Sequence, residues 1–173
     1  MGATSSKPTP QITINSADAD VPIIPPIIFL GLMATSALLA KYVDRFAFLP
    51  DYLQSLRVRL SIFMALFTAC LMLHMEALDA MHTAGSGLNF LPTANIAITG
   101  PFAYTRNPFY SMLIFVQLPM LALLFDCGWI AFSIAPMFVW LSKFVIPGEE
   151  AFLSRSFGNA YQTYVDTTPR WIL

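Results

Sequence analysis

Four stretches of the chain run almost without charge: residues 21–40, 60–75, 108–125 and 127–142. The first and third reach the length of about 18 residues that lets an apolar helix cross a bilayer. The second lengthens through Glu76 and Ala77, and the fourth reaches Ile146 if Lys143 extends its ammonium toward the headgroups. This pattern predicts an all-α, multi-span membrane bundle of about four transmembrane helices, with an interfacial helix at the C-terminus.

The intervening segments differ in character. Residues 1–20 are rich in Ser, Thr, Pro and Asp without apolar period, which predicts a disordered tail ahead of a membrane domain over residues 21–173. Their opening, Met-Gly-Ala-Thr-Ser-Ser, fits a short N-myristoylation pattern with Gly2 as acceptor. No cleavable signal peptide is expected, because the first apolar stretch is longer than a signal core. Residues 41–59 mix charges with Phe46, Phe48, Tyr52 and Leu53, the composition of an interfacial connector. Residues 83–103 are punctuated by Gly85, Gly87, Pro92, Gly100 and Pro101, which predicts a loop with a short extended piece at 95–99. A loop of this length and apolarity points to function rather than simple connection.

Composition narrows the class. The chain is 57% hydrophobic and 11% charged, with a mean hydropathy of +0.65, whereas soluble domains carry about a quarter charged residues. Too few polar residues remain to coat a soluble domain. A net charge of −1 excludes the concentrated basic face that a nucleic-acid partner requires. The nine Lys and Arg divide almost evenly between the two faces of a four-span protein, so charge does not orient it. The expected location is a membrane, of endoplasmic-reticulum type in a eukaryote and the inner membrane in a bacterium. Cys70 and Cys127 lie in or beside apolar runs without metal or redox spacing. His74, Glu76, Asp79 and His82 gather where the second span ends, but form no compact ligand motif, so a wetted helix end is expected there and no metal.

The third and fourth runs are separated only by Asp126, Cys127 and Gly128, the signature of a tight antiparallel helical hairpin. Such a hairpin returns the chain to the face it left. Arg106-Asn107-Pro108-Phe109-Tyr110 therefore shares a face with Ile146-Pro147-Gly148-Glu149-Glu150. Arg106 and the tyrosines also suit an interfacial belt of basic and aromatic anchors, and the two glutamates suit an acidic helix start. The terminal Trp171 is expected to pack at the interface.

Thr-Gly-Pro-Phe-Ala-Tyr-Thr-Arg-Asn-Pro-Phe-Tyr (99–110), an apolar hairpin, Glu149-Glu150 and Phe157-Gly158-x-x-Tyr161-x-x-Tyr164 follow one another in this order. Together they resemble the isoprenylcysteine carboxyl methyltransferase family over residues 84–173, and the phospholipid N-methyltransferases are similar in the same places. The resemblance implies an integral membrane methyltransferase that uses S-adenosylmethionine (SAM), with carboxyl O-methylation of an isoprenylcysteine-like or other lipophilic acceptor as the expected activity. Phospholipid N-methylation and a non-catalytic protein that kept the fold stay open beside it. Membrane lipids and a lipophilic or prenylated acceptor are the implied partners. Carried over by position, the cofactor side is the backbone around Asn95, Ile96, Ala97 and Ile98, then Phe102, Asn107, Pro108 and Tyr110, with Glu149 and Glu150 between cofactor and acceptor. Asn107 stands where a His is more common, and Val145 where the prenylcysteine enzymes have an arginine.

The chemistry of the implied cofactor asks for matching groups. A sulfonium and an amine need anionic or aromatic neighbours, a carboxylate needs a cation or amide donors, and adenine needs a flat slot. Glu149, Glu150, Arg106, Asn107 and the rings of Phe102, Tyr104 and Tyr110 supply these, which makes Glu149, Glu150 and Arg106 the candidate catalytic groups. Adjacent carboxylates repel unless a cation such as Arg106 stands between them.

Overall fold

Four helices in the computed structural model are long and apolar enough to cross a membrane: α1 (Pro25–Tyr42), α2 (Leu56–Thr83), α3 (Pro108–Phe125) and α4 (Gly128–Phe157). A short helix, α5 (Asn159–Thr167), follows. The structure describes residues 25–85 and 95–172. The expected N-terminal tail, its Gly2 acylation pattern and the middle of the loop before the motif lie outside the described residues. There is no strand among the described residues, and 95–99 is irregular loop.

The helices pack in a row: α1 on α4, α4 on α3, and α3 on α2. Within their apolar windows 39% of α3 and 33% of α4 are buried, against 6% of α1 and of α2, so the hairpin is the centre of the molecule. Ile114, Leu118, Met137, Leu141, Val145 and Ile146 are essentially inaccessible and form its core. Between apolar surroundings this burial stabilises through dispersion contacts and close packing more than through water release.

Two helices run further than the sequence pattern predicts. The charged residues flanking the second run join the helix, which adds Arg57 and Arg59 at one end and, past Ala77, Leu78 to Thr83 at the other. In α4 the helix passes straight through Pro147 to Phe157, beyond Ile146 where the sequence pattern ends the span. The backbone widens into a π-helical turn at Leu141–Val145 just before that proline, and a second one at Leu113–Gln117 precedes Pro119 in α3. A proline lacks the amide that would bond four residues back, and its ring crowds that carbonyl. The wider turn relieves the crowding and keeps the rod continuous. Glu149 consequently sits about 32 Å along α4 from Gly128, at roughly 1.5 Å per residue, where the ~30 Å hydrocarbon layer would end.

His74 also departs from expectation. It turns into the α2–α3 seam rather than to a wetted end. Its Nδ1 lies 2.8 Å from the Cys70 carbonyl, which can only accept, so Nε2 is left to accept from the Gln117 amide at 3.3 Å. Among the described residues no group of three or more His, Cys, Asp or Glu is placed to hold a metal.

The hairpin turn is tied to the α1–α2 connector. Asp126 adopts a left-handed conformation (φ 48°), and its Oδ1 accepts the amides of Phe48 and Leu49, each at 3.0 Å. Gly128 donates to the Phe46 carbonyl at 2.9 Å, and the Phe46 ring fills the space where a Gly128 side chain would stand. That ring is stacked on Phe132 and held by a positive φ, so it has little freedom to retreat. Gly128→Ala should therefore destabilise the fold by about 1–3 kcal/mol through overpacking. The check is thermal unfolding in detergent, where an unchanged midpoint would refute it.

Candidate active site

At the end of the hairpin away from Asp126, the head of α3 meets the last turns of α4. The Tyr110 hydroxyl donates to Glu149 Oε1 at 2.6 Å, and Arg106 Nη1 lies 3.0 Å from Glu150 Oε1. The two motifs brought together by hairpin geometry are thus in direct contact, and each carboxylate has its own partner.

A third segment closes on them. Gly158 ends α4 with φ 52° and ψ −124°, a conformation reserved for glycine, and lets α5 fold back. Tyr161 and Tyr164 of α5 then reach the α3 head. The Tyr164 hydroxyl donates to the Phe102 carbonyl at 2.7 Å, and Tyr161 is hydrogen-bonded to the Arg106 guanidinium. Burial first, and the neighbouring Glu150, push the Tyr161 phenol above its ordinary value. Burial and Tyr161 do the same for Tyr164. Both remain neutral: Tyr164 donates to Phe102, and Tyr161 accepts from the Arg106 guanidinium.

Beyond α5 the tail Pro169-Arg170-Trp171 lies along the motif. The Arg106 amide donates to the Pro169 carbonyl at 2.9 Å. The Arg170 carbonyl accepts from Thr105 Oγ1 at 2.8 Å and from Asn107 Nδ2 at 3.1 Å. The Arg170 guanidinium grips Glu150 through both oxygens, with Nε at 3.0 Å from Oε1 and Nη2 on Oε2. Glu150 is therefore shared by two guanidiniums, and Arg106 Nε is buried without a partner. With the neighbouring Glu149, the site sets two cationic side chains against two acidic ones.

The sequence-derived candidates fall into distinct positions. Asn107 and Pro108 are buried, and Asn107 spends its side-chain donor on the Arg170 carbonyl. Phe102 is half-buried, edge-on to Phe109, and its carbonyl is bound by Tyr164. Asn95 donates its amide to the Ala84 carbonyl at 3.2 Å, and Ile96 and Ala97 are half-buried beside it. Ile98 is 54% exposed and lines a cavity of about 350 Å³ with Ala103, Ala160, Thr163, Tyr164 and Thr168. Tyr104 is 73% exposed. The sequence reading missed Thr105, Tyr161, Tyr164 and Arg170. The tyrosine pair stood in the quoted C-terminal motif, and a second cation near two adjacent carboxylates was the available signal for Arg170.

A second cavity of about 430 Å³ lies between α3 and α4, lined by Ile114, Phe115, Phe132, Ala135 and Phe138 among others. Ala131 and Ala135, one turn apart on α4, leave the room for it. Trp171 stands at its end nearest the motif, 4.9 Å from Phe138 and 6.2 Å from Phe115 between ring centroids.

A family model described as the isoprenylcysteine carboxyl methyltransferase family matches residues 58–155. The chain belongs to the isoprenylcysteine carboxyl methyltransferase family. The match begins in α2, earlier than the motif resemblance suggested, and ends at Arg155, before the Gly158 turn and the tail that clasps Glu150. Neither the curated proteins nor the solved structures compared with the chain gave a match. Membership makes this a membrane methyltransferase. Val145 is fully buried in the hairpin core and brings no charge to the site. The cations of this site come instead from Arg106 and Arg170.

Proposed function

We propose that this member of the family transfers the methyl group of SAM to the carboxylate of an isoprenylcysteine-like or other lipophilic acceptor. It crosses the membrane four times, with the Arg106–Glu150 end on one face and the Asp126 end on the other. The observation that carries the reading is the pair of guanidiniums on one carboxylate, beside a hydrogen-bonded Tyr110–Glu149 pair, at the level where α4 leaves the apolar layer.

The residues present suit the cofactor. The threonine-bearing cavity beside Ile98 is near the lower end of ordinary ligand sites, which run from about 300 to 1,000 Å³. Arg106 keeps a buried donor free for a carboxylate. When bound, SAM supplies an electrophilic methyl group, and a carboxylate oxygen takes it as the carbon–sulfur bond breaks with its electron pair left on sulfur. The acceptor is already ionised at neutral pH, so the protein need hold no general base. Its task is to hold the reactants in line and exclude water. Glu149, fixed by Tyr110, offers negative charge to the cationic part of the cofactor. Glu150 holds Arg106 and Arg170 in position, and Asn107 anchors the tail that carries Arg170.

Binding of S-adenosylhomocysteine in detergent tests the cofactor part. Glu149→Gln should weaken it roughly 10- to 100-fold, the loss of one or two tenfold steps at about 1.4 kcal/mol each. Asn107→Ala should weaken it less, because its side chain acts through the Arg170 carbonyl. Wild-type protein that binds none would end the SAM reading. Crude membranes supplied with methyl-labelled SAM test the acceptor. Base-labile label supports carboxyl methylation, whereas label in choline-type headgroups would replace it with phospholipid N-methylation.

A further inference from the structure

An imidazole inside an apolar span is costly to place and marks a function by default. His74 is half-buried in α2 on the side turned to α3, and is held from both directions: Nδ1 donates to the Cys70 carbonyl at 2.8 Å, and Nε2 accepts from Gln117 at 3.3 Å. A ring bonded at both nitrogens keeps one orientation. Its centroid is 5.5 Å from that of Phe109, and Phe109 meets Phe102 edge-on at 6.3 Å. Phe102 belongs to the tight helical turn Gly100–Ala103, and its carbonyl is the one that Tyr164 binds. A chain of rings thus links the imidazole to the turn that α5 grips.

The same end of α2 carries the turn itself. Ala77 and Ala80 follow His74 along the helix and are buried, and Pro101 is buried in the turn. Gly100, at φ 58°, lies on this surface: a side chain there would stand 3.8 Å from Ala80 Cβ and 3.6 Å from the Glu76 carbonyl. Small side chains are what let two backbones come this close. Ile98 and Ala103, on either side of the turn, line the cavity of about 350 Å³ together with Tyr164. One wall of that cavity is therefore mounted on α2, with His74 as its polar fastening. A wall fixed before the ligand arrives spares the ligand the cost of ordering it.

We propose that His74 is a positioning residue for cofactor binding: through Phe109 and Phe102 it fixes the 98–103 wall against which the cofactor seats. This rests on the SAM reading given above and adds the span and the side chain that preorganise its site. His74 is not among the residues lining the cavity, so it acts through the rings and touches no ligand.

The test titrates the full-length protein in detergent with S-adenosylhomocysteine and follows hydrogen exchange of its amides. His74→Ala should weaken binding by about 3- to 10-fold, the scale on which residues without ligand contact act on a site. The number of sites per protein should stay the same, whereas a merely structural role would lower that number and leave the affinity of the remainder alone. The Phe102 and Tyr104 amides, which bond to the Thr99 and Pro101 carbonyls, should exchange several-fold faster, while those of Phe48 and Leu49 on Asp126 stay as they are. Gln117→Leu frees the ring from across the seam. It should move both readouts the same way by less, and add little to His74→Ala. Unchanged affinity in His74→Ala, or exchange that quickens equally at both ends of the hairpin, would overturn the proposal. The two readings fail differently. Wild-type protein that binds no S-adenosylhomocysteine removes the SAM reading and leaves the exchange contrast to decide whether His74 fixes the wall. Wild-type binding that His74→Ala does not alter removes the positioning role alone.

Discussion

Glu150→Ala is expected to produce the largest loss, lowering methyl transfer by at least about 100-fold and stability by roughly 2–4 kcal/mol. The change leaves two guanidiniums side by side without their shared counterion. Arg106 is the more critical of the two, with a side chain only 12% exposed, against 36% for Arg170. Removing one partner of a buried ion pair costs about 3–5 kcal/mol, and the partial exposure of Arg170 lowers the figure here. Activity falls further than stability because both cations lose their aim, and a misplaced charge-stabilising group costs on the order of 10²–10³ in rate. Glu150→Gln keeps an acceptor oxygen without the charge and should fall between. A double-mutant cycle of Glu150→Ala with Arg170→Ala, read by thermal unfolding, should return a coupling of at least about 1 kcal/mol. Additive effects would mean that the tail is held by its backbone bonds alone.

Asp126→Ala is expected to be the most damaging change at the other end of the hairpin, at about 2–4 kcal/mol. Its carboxylate is inaccessible, accepts two amides from the connector, and stands 3.7 Å from Arg45. Alanine leaves the amides of Phe48 and Leu49 unpaired and must also occupy a left-handed backbone that Asp and Asn tolerate better. Asp126→Asn keeps one acceptor and the backbone preference, and should cost about half as much. The pH dependence has a definite sign. Burial opposes ionisation of Asp126, but the two amides and Arg45 outweigh it and hold the carboxyl below its usual range. The contribution is therefore complete above the unfolded value of about 3.9 and is lost as pH falls through the lower folded value. Unfolding midpoints measured from pH 7 to pH 3 should drop for the wild type in the acid part of that range. Asp126→Asn should lack this component, and parallel curves would contradict the assignment.

How much of this was legible varied with the range of the interaction. The hairpin at 126–128 was readable because only three residues separate two apolar runs, which leaves no alternative to an antiparallel return. From it followed the meeting of Arg106 and Tyr110 with Glu149 and Glu150. The passage of α4 through Pro147 was not readable, since proline by local rules ends a helix and the compensating π turn depends on how Leu141 and Val145 pack in the core. Asp126 looked like a spacer between helices, yet its bonds are to residues 77 and 78 positions away. Arg170 was passed over for the same reason. Its role exists only because Gly158 turns the chain back, and its carbonyl, which carries no sequence signal, is what Asn107 holds.

The amino-acid sequence by itself determined the solvent, the helical class, the pairing of α3 with α4 and the face on which the motifs gather. Those properties follow from hydropathy and chain length, which act locally and along one dimension. Tertiary structure alone decided which carboxylate each cation takes, that the C-terminal tail joins the site, and that Trp171 packs against Phe115 and Phe138. Such choices are made by distances of about 3 Å between groups far apart in the chain, and they appear only when packing has set every helix against its neighbour.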